Sequence, residues 1–188
     1  AIVLCAGATK ARGLNCPGAD NKNEVQAMTY LTNQTKALYG EEISETINAN
    51  GKHVIVIGGG DTGSDCVGTA NRQGAASVTN FEIMHKPPFY RSEETPWPYW
   101  PIQLTTSSSH EEGVERNWQV LTKEFIIDEE GNLEGLLTVE VEVKKVDGKL
   151  NFVEKEGTEK VWPCDLAILA LGFEGPEKTL GEQLGLHL

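Results

Sequence analysis

The clearest candidate for chemistry in this sequence is a glycine-rich segment, Gly58-Gly59-Gly60-Asp61-Thr62-Gly63. It follows an apolar run and precedes a run with helical spacing, which is the context that a dinucleotide-binding GxGxxG motif requires. Gly58 allows a tight turn, Gly60 lets backbone amides approach a pyrophosphate, and Gly63 lets the helix pack closely on the strand. The helix N-terminus adds unpaired N–H groups for the phosphates. The motif therefore predicts nucleotide binding, with a purely structural strand-to-helix turn as the alternative.

The end of the next predicted strand, Ser77–Met84, indicates which nucleotide is bound. An acidic residue at that point usually accepts the ribose 2′-OH of NAD or FAD, whereas basic residues pair with a 2′-phosphate. Here the strand is followed by His85, Lys86 and Arg91, so we expect NADPH, unless these are solvated loop charges. Glu82 is the opposing residue, because it could be the acid of an NAD site. We expect it inside the strand rather than at its end.

The remaining polar residues form no recognisable catalytic or metal-binding pattern. His110 lies beside two glutamates, but no nucleophile stands at a spacing that defines a triad or a metal site. The four cysteines are far apart and form no CxxC pair, so we expect buried free thiols rather than a redox pair, zinc ligands or an iron–sulfur site. No catalytic residue can be named.

The glycine segment sits within alternating strand and helix patterns that predict a parallel sheet. Buried strands are expected at Ile2–Ala6, His53–Ile57, Ser77–Met84 and Asp165–Leu171. Helices are expected at Glu24–Tyr39 and Thr62–Gln73, and a further helix over Glu111–Trp118, with Ser109 as its N-cap and Glu112 completing a capping box. An antiparallel meander is expected from Trp118–Ile127, Leu136–Val146 and Leu150–Lys155. The fold class is α/β, a Rossmann-like parallel sheet with an antiparallel β-meander.

Between these elements, residues 87–101 are crowded with proline and aromatic residues, which predicts an ordered loop. A satellite hydrophobic cluster that fixes the loop is one interpretation. A lid over the cofactor, or a contact surface for another domain, is the other.

Composition excludes several classes of function. The chain has 188 residues and a formal net charge of −12, with a sequence pI of about 4.8. Such a surface repels nucleic acid and anionic lipid, because binding either depends on clustered Lys and Arg. No apolar run approaches the length of a membrane-spanning helix, and there is no signal-peptide pattern, so we expect a cytoplasmic protein.

Several segments together resemble one family. They are residues 54–66 (VIVIGGGDTGSDC), Lys86-Pro87-Pro88 with Arg91, residues 97–101 (WPYWP) and residues 107–114 (SSSHEEGV). They resemble the small, or beta, subunit of NADPH-dependent glutamate synthase, along essentially the whole chain. By this resemblance, Gly58, Gly60 and Gly63 of this chain match the phosphate loop of that family. His85, Lys86 and Arg91 match its 2′-phosphate pocket.

The resemblance implies a flavoprotein of the glutathione-reductase type, with the NADPH-binding domain inserted into an FAD domain. NADPH would pass a hydride to FAD, and iron–sulfur centres would relay electrons to the large subunit, where glutamine and 2-oxoglutarate become glutamate. Residues 1–23 would then form an inter-domain crossing strand and turn, residues 24–172 the NADPH-binding domain, and residues 173–188 the start of the return to the FAD domain. Gly7 and Gly172 would mark the two crossings.

The sequence departs from that family in what it lacks. It carries no second glycine fingerprint for FAD and no cysteine clusters for iron–sulfur centres, and it begins in an apolar run without an initiator Met. We therefore expect a fragment of a two-dinucleotide-domain flavoprotein that binds nucleotide and does not catalyse by itself. Two alternatives stay open: the NAD(P)H-binding domain of another flavin-dependent oxidoreductase, or a non-catalytic interaction domain whose working surface is the aromatic loop.

Overall fold

The computed structural model describes residue 3, residue 5 and residues 7–43 and 46–185. It divides into a larger unit, Asn15–Ala170, and a smaller unit made of Ala1–Leu14 and Leu171–Leu188. In chain order the described elements are β1 (Lys10–Ala11), β2 (Glu24–Gln26), α1 (Ala27–Leu38), β3 (His53–Ile57), α2 (Asp61–Arg72), β4 (Ser77–Glu82), α3 (Ser108–Glu111), β5 (Glu115–Trp118), β6 (Val120–Ile127), β7 (Leu133–Val146), β8 (Lys149–Glu154), β9 (Lys160–Pro163), β10 (Leu166–Leu169), β11 (Phe173–Gly175) and α4 (Thr179–Gln183).

The larger unit contains a five-stranded parallel sheet in the order β2-β10-β3-β4-β5. The central strand β3 is apolar after His53, and these four apolar residues are all buried. Such a run suits a strand that is covered on both faces of a parallel sheet. β3, α2 and β4 form the expected strand–helix–strand unit around the glycine segment, so the predicted α/β fold is confirmed.

Two helices cover this sheet. α2 packs against β3 and β4, and α1 packs against α2 and β10. The Tyr30 side chain on α1 is fully buried, and its hydroxyl donates to Gln73 Oε1 at 2.8 Å. Burial raises the pKa of the Tyr30 phenol, which keeps it protonated as a donor at neutral pH.

The predicted antiparallel meander is also present. β7 pairs with β6 on one side and with β8 and β9 on the other. Asp147 and Gly148 form the β7–β8 turn with φ angles of 49° and 79°, as a two-residue hairpin turn requires. The side chains of β7 alternate between buried and exposed along much of its length.

In the smaller unit, β1 and β11 form a two-stranded antiparallel ladder. Lys10 and Glu174 make an exposed ion pair across it, with Nζ 2.6 Å from the carboxylate oxygen. Ile2, Leu4 and Ala6 of the predicted first strand lie outside the described residues, and the domain bounds at 23 and 172 stay predictions.

Several of the predicted elements were wrong in extent or type. Glu24–Gln26 is not the first turn of the helix but a strand, because it completes the sheet beside β10. The helix expected over Glu111–Trp118 is one turn that ends at Glu111, since Gly113 has φ of 126°. Glu115–Trp118 instead pairs in parallel with β4. The last strand is shorter than predicted, Leu166–Leu169.

Residues 83–107 contain no helix or strand, as the prolines predict. The aromatic side chains of this loop do not form a buried cluster: Trp97 is 84% exposed and Trp100 is 89% exposed. The loop is fixed by its polar groups instead, including two hydrogen bonds from the Arg91 guanidinium to the carbonyls of Thr95 and Tyr99.

Candidate functional site

The glycine loop joins β3 to α2, and two of its glycines are required by their neighbours. Gly58 has φ of 119°, and a Cβ there would collide with the carbonyl oxygen of Ala170 on the adjacent chain segment. A Cβ on Gly63 would collide with the carbonyl oxygen of Gly58. These two contacts give the sharp turn and the close approach of helix to strand that the motif predicts.

Gly60 differs, because a Cβ there would meet no described atom within 4 Å beyond its chain neighbours. It is the N-cap of α2, and it has no side chain that could accept a hydrogen bond from the first N–H groups of the helix. The first N–H groups of an α-helix have no partner within the helix, so the start of α2 presents donors and the positive end of the helix dipole to open space. The residues here fit a bound pyrophosphate.

Gly59 has a different neighbour, Glu82, and the expectation for Glu82 was wrong. The carboxylate accepts a hydrogen bond from Gly59 N at 2.8 Å, and a Cβ on Gly59 would collide with it. Glu82 is the last residue of β4 rather than an internal one, because the strand stops two residues earlier than predicted. Glu82 therefore occupies the strand-end position at which an acid accepts a ribose hydroxyl.

A pocket of about 270 Å³ lies at the carboxyl ends of β4 and β5, next to the loop. Ligands of open α/β sheets bind at these strand ends. The residues that line the pocket include Gly59, Asn80, Glu82, His85, Arg116 and Trp118. The Asn80 amide donates to the carbonyls of Val56 and Gly58, at 3.0 and 2.9 Å, and so fixes the start of the loop.

The three basic residues predicted for a 2′-phosphate are placed differently from one another. His85 lines the pocket. The Lys86 ammonium lies over the Trp118 ring, 4.8 Å from its centroid. The Arg91 guanidinium donates to two carbonyls of its own loop. Gly172, also predicted to contact the cofactor, belongs to the smaller unit, where its carbonyl accepts from Arg12 N at 3.0 Å.

Arg116 on β5 also lines the pocket, and sequence reasoning missed it. Its Nη1 donates to the Thr105 carbonyl at 3.0 Å, and its guanidinium carbon lies 5.1 Å from the centre of the Trp118 ring. Burial lowers the pKa of Arg116, and the nearby Glu82 carboxylate acts in the opposite direction. The sequence did not identify Arg116 as a pocket residue because residues 111–118 were predicted to be helical.

A chain of hydrogen bonds ties α3 to the first turn of α2. The Ser107 hydroxyl contacts the Ser64 hydroxyl and lies 3.0 Å from His110 Nδ1. Ser107 is the N-cap of α3 and forms a capping box with His110, so the predicted cap of Ser109 with Glu112 was wrong. The helix starts one residue before Ser109, and Ser109 lies inside it.

The described residues contain no other recognisable centre. Within residues 3, 5, 7–43 and 46–185, no group of three or more His, Cys, Asp or Glu side chains could hold a metal ion. All four cysteines are free thiols, and Cys66 and Cys164 are buried, which raises their pKa to about 12. The expected burial was wrong for Cys5, which is exposed, and for Cys16, which is half-buried. No helix within the same residues is long and apolar enough to cross a membrane.

Comparison with known proteins supports the resemblance drawn from the sequence. The chain is 43% identical over 184 residues to the small chain of glutamate synthase [NADPH] from Mycobacterium tuberculosis (strain H37Rv), covering 95% of this chain and 37% of that protein. It is also 43% identical to glutamate synthase [NADH] from Schizosaccharomyces pombe, covering 95% of this chain and 9% of that protein. The chain thus spans well under half the length of these relatives.

Among solved structures, the fold matches Mycobacterium tuberculosis FprA in complex with NADPH, with a TM-score of 0.62 at 12% identity. The match covers 89% of this chain and 49% of FprA. At this level of identity the likeness shows a common fold.

One sequence family matches the whole chain. Its profile, described as pyridine nucleotide-disulphide oxidoreductase, covers residues 1–188. This chain belongs to the pyridine nucleotide-disulphide oxidoreductase family.

Proposed function

We propose that this chain is an NADPH-binding, electron-input domain. The observation that carries the proposal is the start of α2, where Gly60 leaves an uncapped helix N-terminus facing open space beside the pocket. Backbone N–H groups of residues 60–63 would hold the pyrophosphate, since the loop and helix dipole both favour an anion there. The bound nicotinamide would supply a hydride.

The selection of NADPH is the second part of the proposal. His85 lines the pocket, and Lys86 and Arg91 follow it along the same loop. These last two residues contribute positive charge near a 2′-phosphate. Glu82 opposes this selection, because its carboxylate repels a phosphate and accepts from a hydroxyl. We also propose that Gly172 contributes to cofactor binding at the second crossing between domains.

For the whole protein, we propose the role of a glutamate synthase small chain. In that role the protein passes the hydride from NADPH to FAD, and iron–sulfur centres carry electrons to a large subunit that forms glutamate from glutamine and 2-oxoglutarate. The names of the relatives at 43% identity support this role. FAD, the iron–sulfur centres and the large subunit would belong to the full-length, cytoplasmic enzyme.

Two other functions compete with this role. Fold and cofactor do not fix the electron acceptor, so the chain could serve another flavin-dependent oxidoreductase. The exposed aromatic residues of the loop 87–101 favour the second competitor, a non-catalytic interaction domain. A full-length protein that oxidises NADPH only when glutamine, 2-oxoglutarate and the large subunit are all present would exclude both.

Calorimetric titration of the chain with NADPH and NADH tests the nucleotide proposal. We expect both to bind, with NADPH the tighter ligand, and we expect Lys86→Glu to weaken NADPH more than NADH. Lys149→Glu is the matched control, because it makes the same charge reversal on the exposed β8 strand. Failure of both nucleotides to bind would overturn the proposal, and equal affinities would overturn NADPH selection.

A further inference from the structure

The pocket beside the glycine loop is unevenly charged. Its lining includes the carboxylates of Asp61 and Glu82. Among the described residues that line it, Arg116 carries the only permanent positive charge, since His85 is the one other basic group there. A 2′-phosphate entering this pocket therefore meets two carboxylates and one guanidinium.

The sheet register places Arg116 next to the strand-end acid. Arg116 on β5 pairs with Asn80 on β4, and Glu82 follows Asn80 by two positions. Side chains two apart on a strand point to the same face, so Arg116, Asn80 and Glu82 share the face that lines the pocket. The opposing effect of Glu82 on the pKa of Arg116 agrees with this proximity.

The Arg116 guanidinium is held in place but not fully used by its protein contacts. Nη1 donates to the Thr105 carbonyl at 3.0 Å, and the group rests on the Trp118 ring. Its Nε is buried and has no hydrogen-bond partner within the part of the chain that the structure describes. A guanidinium has five donors arranged for bidentate contact with phosphate, and the contacts with Thr105 and Trp118 restrict the orientations of this one.

The two predicted loop cations are less well placed for direct contact. The Lys86 ammonium contacts two aromatic rings, 5.7 Å from the centre of Phe89 and 4.8 Å from that of Trp118. The Arg91 Nη1 donates to the carbonyls of Thr95 and Tyr99, at 3.0 and 2.9 Å. Both contribute to the field around the pocket, but neither lines it.

We infer that Arg116 is the specificity-determining residue for NADPH: it pairs with the 2′-phosphate and offsets the charge of Glu82. The inference rests on the proposed nucleotide-binding function and names the group that selects between the two nucleotides. Glu82 and Arg116 have opposite preferences. Glu82 favours the 2′-hydroxyl of NADH, and Arg116 favours the 2′-phosphate of NADPH.

Calorimetric titration of Arg116→Met with both nucleotides tests the inference. A charge-assisted pair is lost, so we expect the Kd for NADPH to rise by at least tenfold, while the Kd for NADH changes by less than twofold. Arg116→Lys restores the charge without the bidentate geometry, and we expect it to recover part of the loss. Glu82→Gln keeps an acceptor for Gly59 N and removes the charge, so we expect it to tighten NADPH and weaken NADH.

The control is Arg72→Met on α2, which removes the same charge from an exposed ion pair with Glu112. We expect it to leave both affinities within twofold of the wild type. Retained NADH binding shows that the Arg116→Met protein is folded. If that variant binds NADPH as the wild type does, or loses both nucleotides equally, the inference is overturned while the proposed function stands. If the wild type binds neither nucleotide, both are overturned.

Discussion

The three glycines of the binding motif have different surroundings, so the same substitution has different consequences at each. Gly58 is held at a positive φ against Ala170, and Gly63 lies against Gly58, whereas Gly60 faces open space. The sequence motif predicts all three glycines but does not distinguish their roles. The distinction depends on which chain segments cross the loop, and Ala170 lies more than a hundred positions further along the sequence.

We predict that Gly60→Ala separates binding from stability. A Cβ at this position meets no described atom of the fold but occupies the space proposed for the pyrophosphate, so NADPH binding should weaken by at least tenfold. The free energy of unfolding should change by at most about 1 kcal/mol, because alanine restricts the unfolded chain but is a poorer N-cap than glycine. Urea denaturation and calorimetry measure the two effects.

Gly58→Ala is the companion variant, and it should behave in the opposite way. Its positive φ and the Ala170 carbonyl both disfavour a side chain, so we expect a loss of about 1–3 kcal/mol in the free energy of unfolding. Equal stability losses at Gly58 and Gly60 would contradict this assignment of roles.

His110 is predicted to make stability depend on pH. Burial lowers its pKa below the usual 6.5, and the charge of Arg116 adds to this effect. The unfolded chain then binds a proton more readily than the folded one, so the stabilisation is fully present above about pH 6.5 and is lost as the pH falls through the lower folded value. We expect the urea midpoint to decrease between pH 7 and pH 5.

The matched variant is His110→Gln, because glutamine can occupy the same position of a capping box and does not titrate. Its urea midpoint should vary less with pH than that of the wild type over this range. An identical pH dependence in the two proteins would show that His110 does not cause it.

At the scale of elements, the sequence predicted the structures that are long or strongly apolar. β3 occupies the predicted residues, and α2 is displaced by one, since an apolar run bounded by glycines leaves few alternatives. β2 and β5 were missed because strands of three or four residues carry little pattern of their own. β2 forms a strand because it pairs with β10, and β5 because it pairs with β4. Such pairing joins residues that are far apart in the sequence, so a local pattern does not predict it.

The same limit explains which parts of the site could be predicted. The glycine loop is contiguous in sequence, and its motif identifies it. Glu82 was misplaced because the length of β4 depends on the loop that follows, and Arg116 was missed because its strand was taken for a helix. Contacts between neighbouring strands bring these two residues to one pocket.

Aromatic side chains on two neighbouring segments should contribute unequally to stability. Phe81 on β4 is 1% exposed and packs edge-on against Trp162, with ring centroids 5.1 Å apart. We predict that Phe81→Ala lowers the free energy of unfolding by about 3–5 kcal/mol. Trp100 is exposed in the loop, and Trp100→Ala should change the free energy of unfolding by at most about 0.5 kcal/mol. Urea denaturation distinguishes the two, and a large loss at Trp100 would mean that the loop packs in solution.

At the scale of the whole molecule, net charge and local charge act in opposite directions. The chain carries −12 overall, yet the proposed ligand is a polyanion. Binding then depends on fixed local groups, namely the amides at the start of α2 and the Arg116 guanidinium, rather than on long-range attraction. This arrangement suits a small nucleotide and opposes nucleic acid, in agreement with the membership of the chain in the pyridine nucleotide-disulphide oxidoreductase family.

The central claim is that NADPH binds across the glycine loop and the pocket beyond β4, and amide chemical-shift mapping tests it most directly. The isotope-labelled chain would be titrated with NADP⁺ and its backbone N–H resonances followed. We predict that the largest shifts fall on residues 59–64, with a second group at residues 82–86 and 116–118. Shifts confined to other surfaces, or no shifts at saturating nucleotide, would contradict the account.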